Sequence, residues 1–182
     1  TTFSQHANVL AILSNAFDGT QEKDLMQRVF NNKDIAQTSF YFDFYKIAAL
    51  KKVGLGDMYI STLDTLSGLI DKGLTTFPEK ADPTRSDCHA WSASPLYYYL
   101  SLVCGIEPAA PGFNSVRIEP HLGDLEWVNG SMPHRLGEIK VNLKKTKKGI
   151  VGSIFLPEKL TGTYVQNGKQ ISLKSGENQI KK

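Results

Sequence analysis

Residues 73–91 read Gly-Leu-Thr-Thr-Phe-Pro-Glu-Lys-Ala-Asp-Pro-Thr-Arg-Ser-Asp-Cys-His-Ala-Trp and gather the side chains best suited to chemistry. Glu79 follows a proline that fixes the backbone ahead of it. Thr75 and Thr76 offer hydroxyls able to orient a carboxylate or a bound sugar, and Phe77 and Trp91 offer flat apolar faces for the C–H face of a sugar ring. A carboxylate in that setting is a candidate general base for activating water; the plain alternative is a solvated loop glutamate. Helical connections usually run about 2–8 residues, and loops beyond about 12–15 are usually functional or disordered. Aromatic residues, a histidine and an arginine so close together argue against disorder. The segment reads as an active-site loop.

The other polar residues of the segment each have two readings. His89 is either a core histidine satisfied by a carbonyl or a ligand for a substrate hydroxyl. Arg85 and Asp87 read as loop supports, an internal ion pair or caps, and Asp87 could cap the turn into the next helix. Trp91 either packs at a helix start or stacks on a sugar. His6 and His134 read as structural. Cys88 adjoins His89, but sequence neighbours seldom point at each other, so a cysteine nucleophile is disfavoured. No Ser-His-Asp ordering, Gly-rich phosphate loop or metal-binding His pair is present.

The 182 residues suffice for one domain or two modest ones, and 41% hydrophobic with 21% charged residues is ordinary for a globular chain. The net charge is +3, with Lys140, Lys144, Lys145, Lys147 and Lys148 around one expected hairpin. Lysines on a strand edge discourage edge-to-edge pairing. No aromatic interleaving accompanies them, so nucleic acid is not an expected partner. Cys88 and Cys104 lack zinc spacing, and Cys104 reads as a small buried hydrophobe. No metal or other cofactor is expected. No apolar run approaches the roughly 18 residues of a membrane span, and no membrane partner is expected. The opening Thr-Thr-Phe suggests a piece of something longer.

Five helices must position the loop. Ser4 caps the first, which Asp18-Gly19 ends; the others are expected near residues 21–30, 39–52, 57–71 and 92–104, with Pro95 in the first turn of the last. The third is aromatic around much of its circumference, as in a helix buried within something larger. Near residue 105 the hydrophobic period changes from about 3.6 to 2. Ile139, Val141 and Leu143 alternate with polar residues, and Asn167-Gly168 marks a hairpin. Helices therefore precede strands, in two modules expected at 1–108 and 109–182.

At this point the sequence resembles a known family. Ser4-Gln5-His6-Ala7-Asn8, Gly73-Leu74-Thr75-Thr76-Phe77-Pro78-Glu79 and Arg85-Ser86-Asp87-Cys88-His89-Ala90-Trp91-Ser92-Ala93-Ser94-Pro95 resemble the C-terminal part of glycoside hydrolase family 78 α-L-rhamnosidases, of the bacterial, Bacteroides-like kind. Cys104-Gly105-Ile106-Glu107-Pro108, Val116-Arg117-Ile118-Glu119-Pro120-His121 and Gly130-Ser131-Met132-Pro133-His134 continue it in order.

The resemblance implies an α-then-β fold: the C-terminal part of an (α/α)6 barrel, about five helices, followed by a small antiparallel β-sandwich. It implies inverting hydrolysis of terminal α-L-rhamnosyl bonds, with a rhamnose-containing glycan or glycoside as partner and a periplasmic or secreted location. Glu79 resembles the family's general base and His89 a rhamnose contact, while the general acid belongs to earlier barrel helices. Inversion needs two carboxyl groups about 6.5–9.5 Å apart, so this polypeptide alone is expected to be inactive. Uncovered helical surface implies self-association. The strands are expected to brace the last helix. Two rivals stand beside this: a non-catalytic carbohydrate-binding or structural β-sandwich with attached helices, and a glycan lyase or terpenoid-type enzyme on a related toroid.

Overall fold

A computed structural model describes residues 3–181 and divides the chain into two compact units, Thr1–Leu96 and Tyr97–Lys182. Among the described residues five α-helices come first and two four-stranded sheets follow.

The helical unit begins with α1 (Gln5–Leu13), where the Ser4 hydroxyl accepts the Ala7 amide at 3.3 Å. Asp18-Gly19 does not end this helix. Asp18 caps α2 (Gly19–Asn31), accepting the Thr20 and Gln21 amides at 3.0 Å each, so two otherwise orphaned donors are satisfied. α3 (Phe40–Lys52) packs against α1, and Val9, Ile12, Ile47 and Leu50 are buried.

The expected helix over 57–71 is broken. Two 3-10 turns, Gly56–Met58 and Ile60–Leu63, precede α4 (Asp64–Asp71). The Ser61 and Thr62 hydroxyls donate to the Met58 and Tyr59 carbonyls at 2.8 and 2.7 Å, taking acceptors a regular helix would use.

Residues 73–91 are not a plain loop. They fold into a minimal hairpin, β1 (Lys80–Ala81) against β2 (Thr84–Arg85). A 3-10 turn over Ala90–Ala93 then leads to α5 (Ser94–Tyr98), with Pro95 in its first turn as its fixed φ permits.

In the second unit a π-helical turn, Tyr99–Val103, precedes β3 (Ile106–Pro108), and Leu102, Val103 and Cys104 are buried there. This turn packs on β3 and on β5 (Trp127–His134). Gly130 on β5 permits the approach: a Cβ there would lie 2.5 Å from the Cys104 sulfur.

One sheet has the order β10-β7-β6-β5, formed by β6 (Gly137–Thr146), β7 (Gly149–Leu156) and β10 (Gly176–Ile180) with β5, all antiparallel. The other has the order β3-β4-β8-β9, with β4 (Ser115–Ile118), β8 (Thr161–Gln166) and β9 (Lys169–Leu173).

An all-antiparallel arrangement does not hold, because β4 and β8 pair in parallel, from Ser115 opposite Thr161 to Ile118 opposite Tyr164. Parallel neighbours need a long crossover; here β5, β6 and β7 of the other sheet supply it. The Asn167-Gly168 turn between β8 and β9 has positive φ at both residues, 49° and 75°, as the tight hairpin turn requires.

Candidate active site

Proline at 78 is buried and anchors the start of the hairpin. The Glu79 amide donates to the Arg85 carbonyl at 2.9 Å and the Ser86 carbonyl at 3.2 Å. The backbone thus folds back upon itself directly after Pro78 and sets Arg85 opposite the Glu79 side chain. The guanidinium closes on the carboxylate with both arms, Nε donating to Oε2 at 2.6 Å and the terminal nitrogen to Oε1. Such fork-to-fork pairing fixes direction as well as distance.

The Glu79 side chain is largely buried, at 19% exposure, while that of Arg85 stays in solvent at 59%. The hydrogen bond from Arg85 chiefly, with the positive charge of Arg85, His89 and Lys80, holds the Glu79 carboxyl below its usual range, against an opposing effect of burial. Arg85 correspondingly titrates higher.

Of the expected loop supports, Arg85 is committed to Glu79 rather than to Asp87. Asp87 takes part through its backbone, since the Thr76 hydroxyl donates to its carbonyl. It does not cap the following turn; His89 occupies the N-cap position, without a side-chain capping bond.

The His89 amide donates to the Phe77 carbonyl at 2.7 Å, which closes the base of the loop. Its imidazole lies on Trp91, ring centres 4.2 Å apart. Trp91 in turn meets Tyr41 of α3 at 5.2 Å, and Tyr41 meets Tyr45 at 6.2 Å. Phe42 joins Tyr45 at 5.1 Å and His6 at 4.4 Å. A line of rings therefore runs from α1 through α3 to the loop, each aromatic contact contributing about 0.5–1.5 kcal/mol beyond burial.

Trp91 remains 45% exposed and Tyr41 47%, so their outer faces are open to a ligand. Tyr41 escaped the sequence reading as a site residue. The signal was there in its four-residue spacing from Tyr45, which places both on one helix face, but nothing in the sequence tied that face to Trp91.

His6 and His134 have structural surroundings: His6 lies on Phe42, and His134 Nε2 is 2.9 Å from the Phe113 carbonyl. Cys104 is buried, which raises its thiol pKa to about 11, whereas Cys88 is exposed. Among the described residues no group of three or more His, Cys, Asp or Glu side chains could hold a metal ion, and no helix is long and apolar enough to cross a membrane.

Residues 105–181 match the bacterial alpha-L-rhamnosidase C-terminal domain family. A solved rhamnosidase of family GH78 from Bacillus sp. GL1 superposes with a TM-score of 0.79 at 25% identity, over 92% of this chain and 19% of that one. The chain resembles the C-terminal part of a family 78 α-L-rhamnosidase.

The native α-L-rhamnosidase of Aspergillus terreus superposes with a TM-score of 0.80 at 19% identity, covering 97% of this chain and 23% of that one. The Streptomyces avermitilis α-L-rhamnosidase, solved with L-rhamnose, gives 0.77 at 18% identity, covering 95% and 21%. The last two likenesses speak for the fold. This chain spans about a fifth of the length of these rhamnosidases. No match is found among curated protein sequences.

Proposed function

We propose that this chain carries the water-activating half of an inverting α-L-rhamnosidase site, with Glu79 as general base. The helices α1–α5 are read as the C-terminal part of an (α/α)6 barrel and the two sheets as the β-sandwich that follows it, with module limits near 1–108 and 109–182. His89 and the exposed face of Trp91 are the rhamnose contacts, Arg85 and Asp87 hold the loop, and Tyr41 extends the aromatic platform.

One observation carries the reading: Glu79 is held ionised by Arg85 on the same loop that stacks His89 on Trp91. A carboxylate offers about four lone-pair positions on its two oxygens. The Arg85 fork takes one on each, so each oxygen keeps room to accept a water proton. The lowered pKa keeps the base ionised in mildly acidic solution, at the cost of intrinsic basicity.

Inversion requires a second carboxyl group about 6.5–9.5 Å away, on the other side of the scissile bond. The general acid is assigned to residues outside this chain, and the chain alone does not hydrolyse rhamnosides.

The test uses p-nitrophenyl α-L-rhamnoside with this chain and with a form extended to the length of the solved rhamnosidases. The extended form turns over, and Glu79→Gln lowers kcat by a factor of about 10²–10⁴, the usual contribution of a general base. Turnover by this chain alone that disappears on Glu79→Gln would refute the division of labour. Unchanged kcat in the extended Glu79→Gln form would remove Glu79 from the role.

A further inference from the structure

The sheet β10-β7-β6-β5 has two faces of different chemistry. Val128, Ile139, Val141, Leu143, Ile154, Leu156 and Ile180 are buried on one. The strand register sorts the opposite face into two rows that cross all four strands. Asn129 pairs with Asn142, Asn142 with Ser153, and Ser153 with Gln179. The neighbouring row runs Ser131, Lys140, Phe155, Glu177. A shallow trough of about 330 Å³ lies over these rows, lined by Asn129, Lys140, Asn142, Ser153, Phe155 and Glu177.

Two observations narrow what such a trough takes. Its charges sum to zero, with Lys140 and Lys144 set against Glu138 and Glu177. Lys140 pairs with Glu138 at 3.1 Å, and the Gln179 amide reaches Glu177 at 3.5 Å. Among the described residues, Asn129, Asn142 and Ser153 make no side-chain hydrogen bond, which leaves adjacent donors and acceptors facing outward. The apolar elements are flat rings set apart: Phe155 is 38% exposed and Trp127, at the start of β5, 63%. From strand spacing and rise, their backbone positions are about 16 Å apart.

A protein partner favours a contiguous, desolvated apolar centre, which this face lacks because Lys140 and Asn142 lie between the rings. A polyanion favours an excess of cations, and here two lysines, Lys140 and Lys144, face two carboxylates, Glu138 and Glu177. Rings for sugar C–H faces, with amides and a hydroxyl able both to donate and to accept, suit a neutral oligosaccharide lying across the strands.

We propose that this outer sheet face is a binding site for a neutral saccharide chain, separate from the Glu79 loop and independent of the catalytic reading. The Asn129–Asn142–Ser153 row hydrogen-bonds sugar hydroxyls, Phe155 stacks at the trough, and Trp127 extends the platform for longer chains.

Affinity electrophoresis of the 182-residue chain in gels containing arabinan, galactan, xyloglucan or polygalacturonate tests this. At least one neutral polysaccharide retards the chain, and Phe155→Ala and Asn142→Ala each weaken that retention at least tenfold. Glu79→Gln retains it in full. Thermal melting of each variant is measured alongside; if Phe155→Ala is unfolded, the surface variant Asn142→Ala decides. No retardation in any neutral gel overturns the proposal, as does retention unchanged in Asn142→Ala. Retardation by polygalacturonate alone overturns it too, since that is capture by the lysines.

Discussion

Arg85 and Glu79, six residues apart, share a two-armed ion pair across the minimal β1–β2 hairpin. The pair joins the fold of the loop to the protonation state of the carboxylate. Because Arg85 lowers the Glu79 pKa, the stability it brings is fully present above the ordinary carboxylate range. It is lost as pH falls through the depressed native value.

Carbon-detected NMR titration of Glu79 therefore gives a midpoint below that of an ordinary glutamate, and Arg85→Ala moves it up. In the extended enzyme the same substitution moves the acidic limb of kcat/KM to higher pH. A Glu79 midpoint that stays put in Arg85→Ala would remove the ion pair from the account.

Lys52 donates to the Ile12 carbonyl and to Glu22, whose side chain is only 6% exposed. Removing one partner of a pair leaves the other charge uncompensated. Lys52→Met lowers unfolding free energy by about 3 kcal/mol, and adding Glu22→Gln restores part of the loss. Urea denaturation of both variants checks the order; equal stability of single and double variants would contradict it.

Gly105 joins the last helical turn to β3 with φ of 71°, and a Cβ there would lie 2.2 Å from the Glu119 carbonyl carbon. Backbone cannot move aside as a side chain can. Gly105→Ala costs roughly 2–4 kcal/mol through strain and overlap together. A melting temperature within a degree of the parent's would show that the approach is looser than described.

Phe3 at 76%, Leu10 at 51%, Phe17 at 46% and Ile70 at 72% exposure leave much apolar surface on the helical unit. Large exposed patches drive association, so light scattering coupled to size exclusion gives a mass that rises with concentration. Leu10→Lys with Ile70→Lys lowers it. A constant monomer mass at high concentration would count against this.

The sequence by itself determined what neighbouring residues decide among themselves. Ser4 caps a helix because its hydroxyl reaches the Ala7 amide, and Asn167-Gly168 turns the chain because both residues tolerate positive φ. The alternation of Ile139, Val141 and Leu143 likewise declared which face of β6 is buried. Asp18-Gly19 reads as a helix end, yet Asp18 starts α2, because the same residue type serves at either place and only the amides that follow decide between them.

Tertiary structure alone decided the rest. It chose Glu79 over Asp87 for Arg85, brought Tyr41 against Trp91, and set β8 parallel to β4. Each depends on chain distant in sequence, or on a hairpin too short to show periodicity. Local propensity carries no information about which of several satisfactory partners a folded chain will bring near.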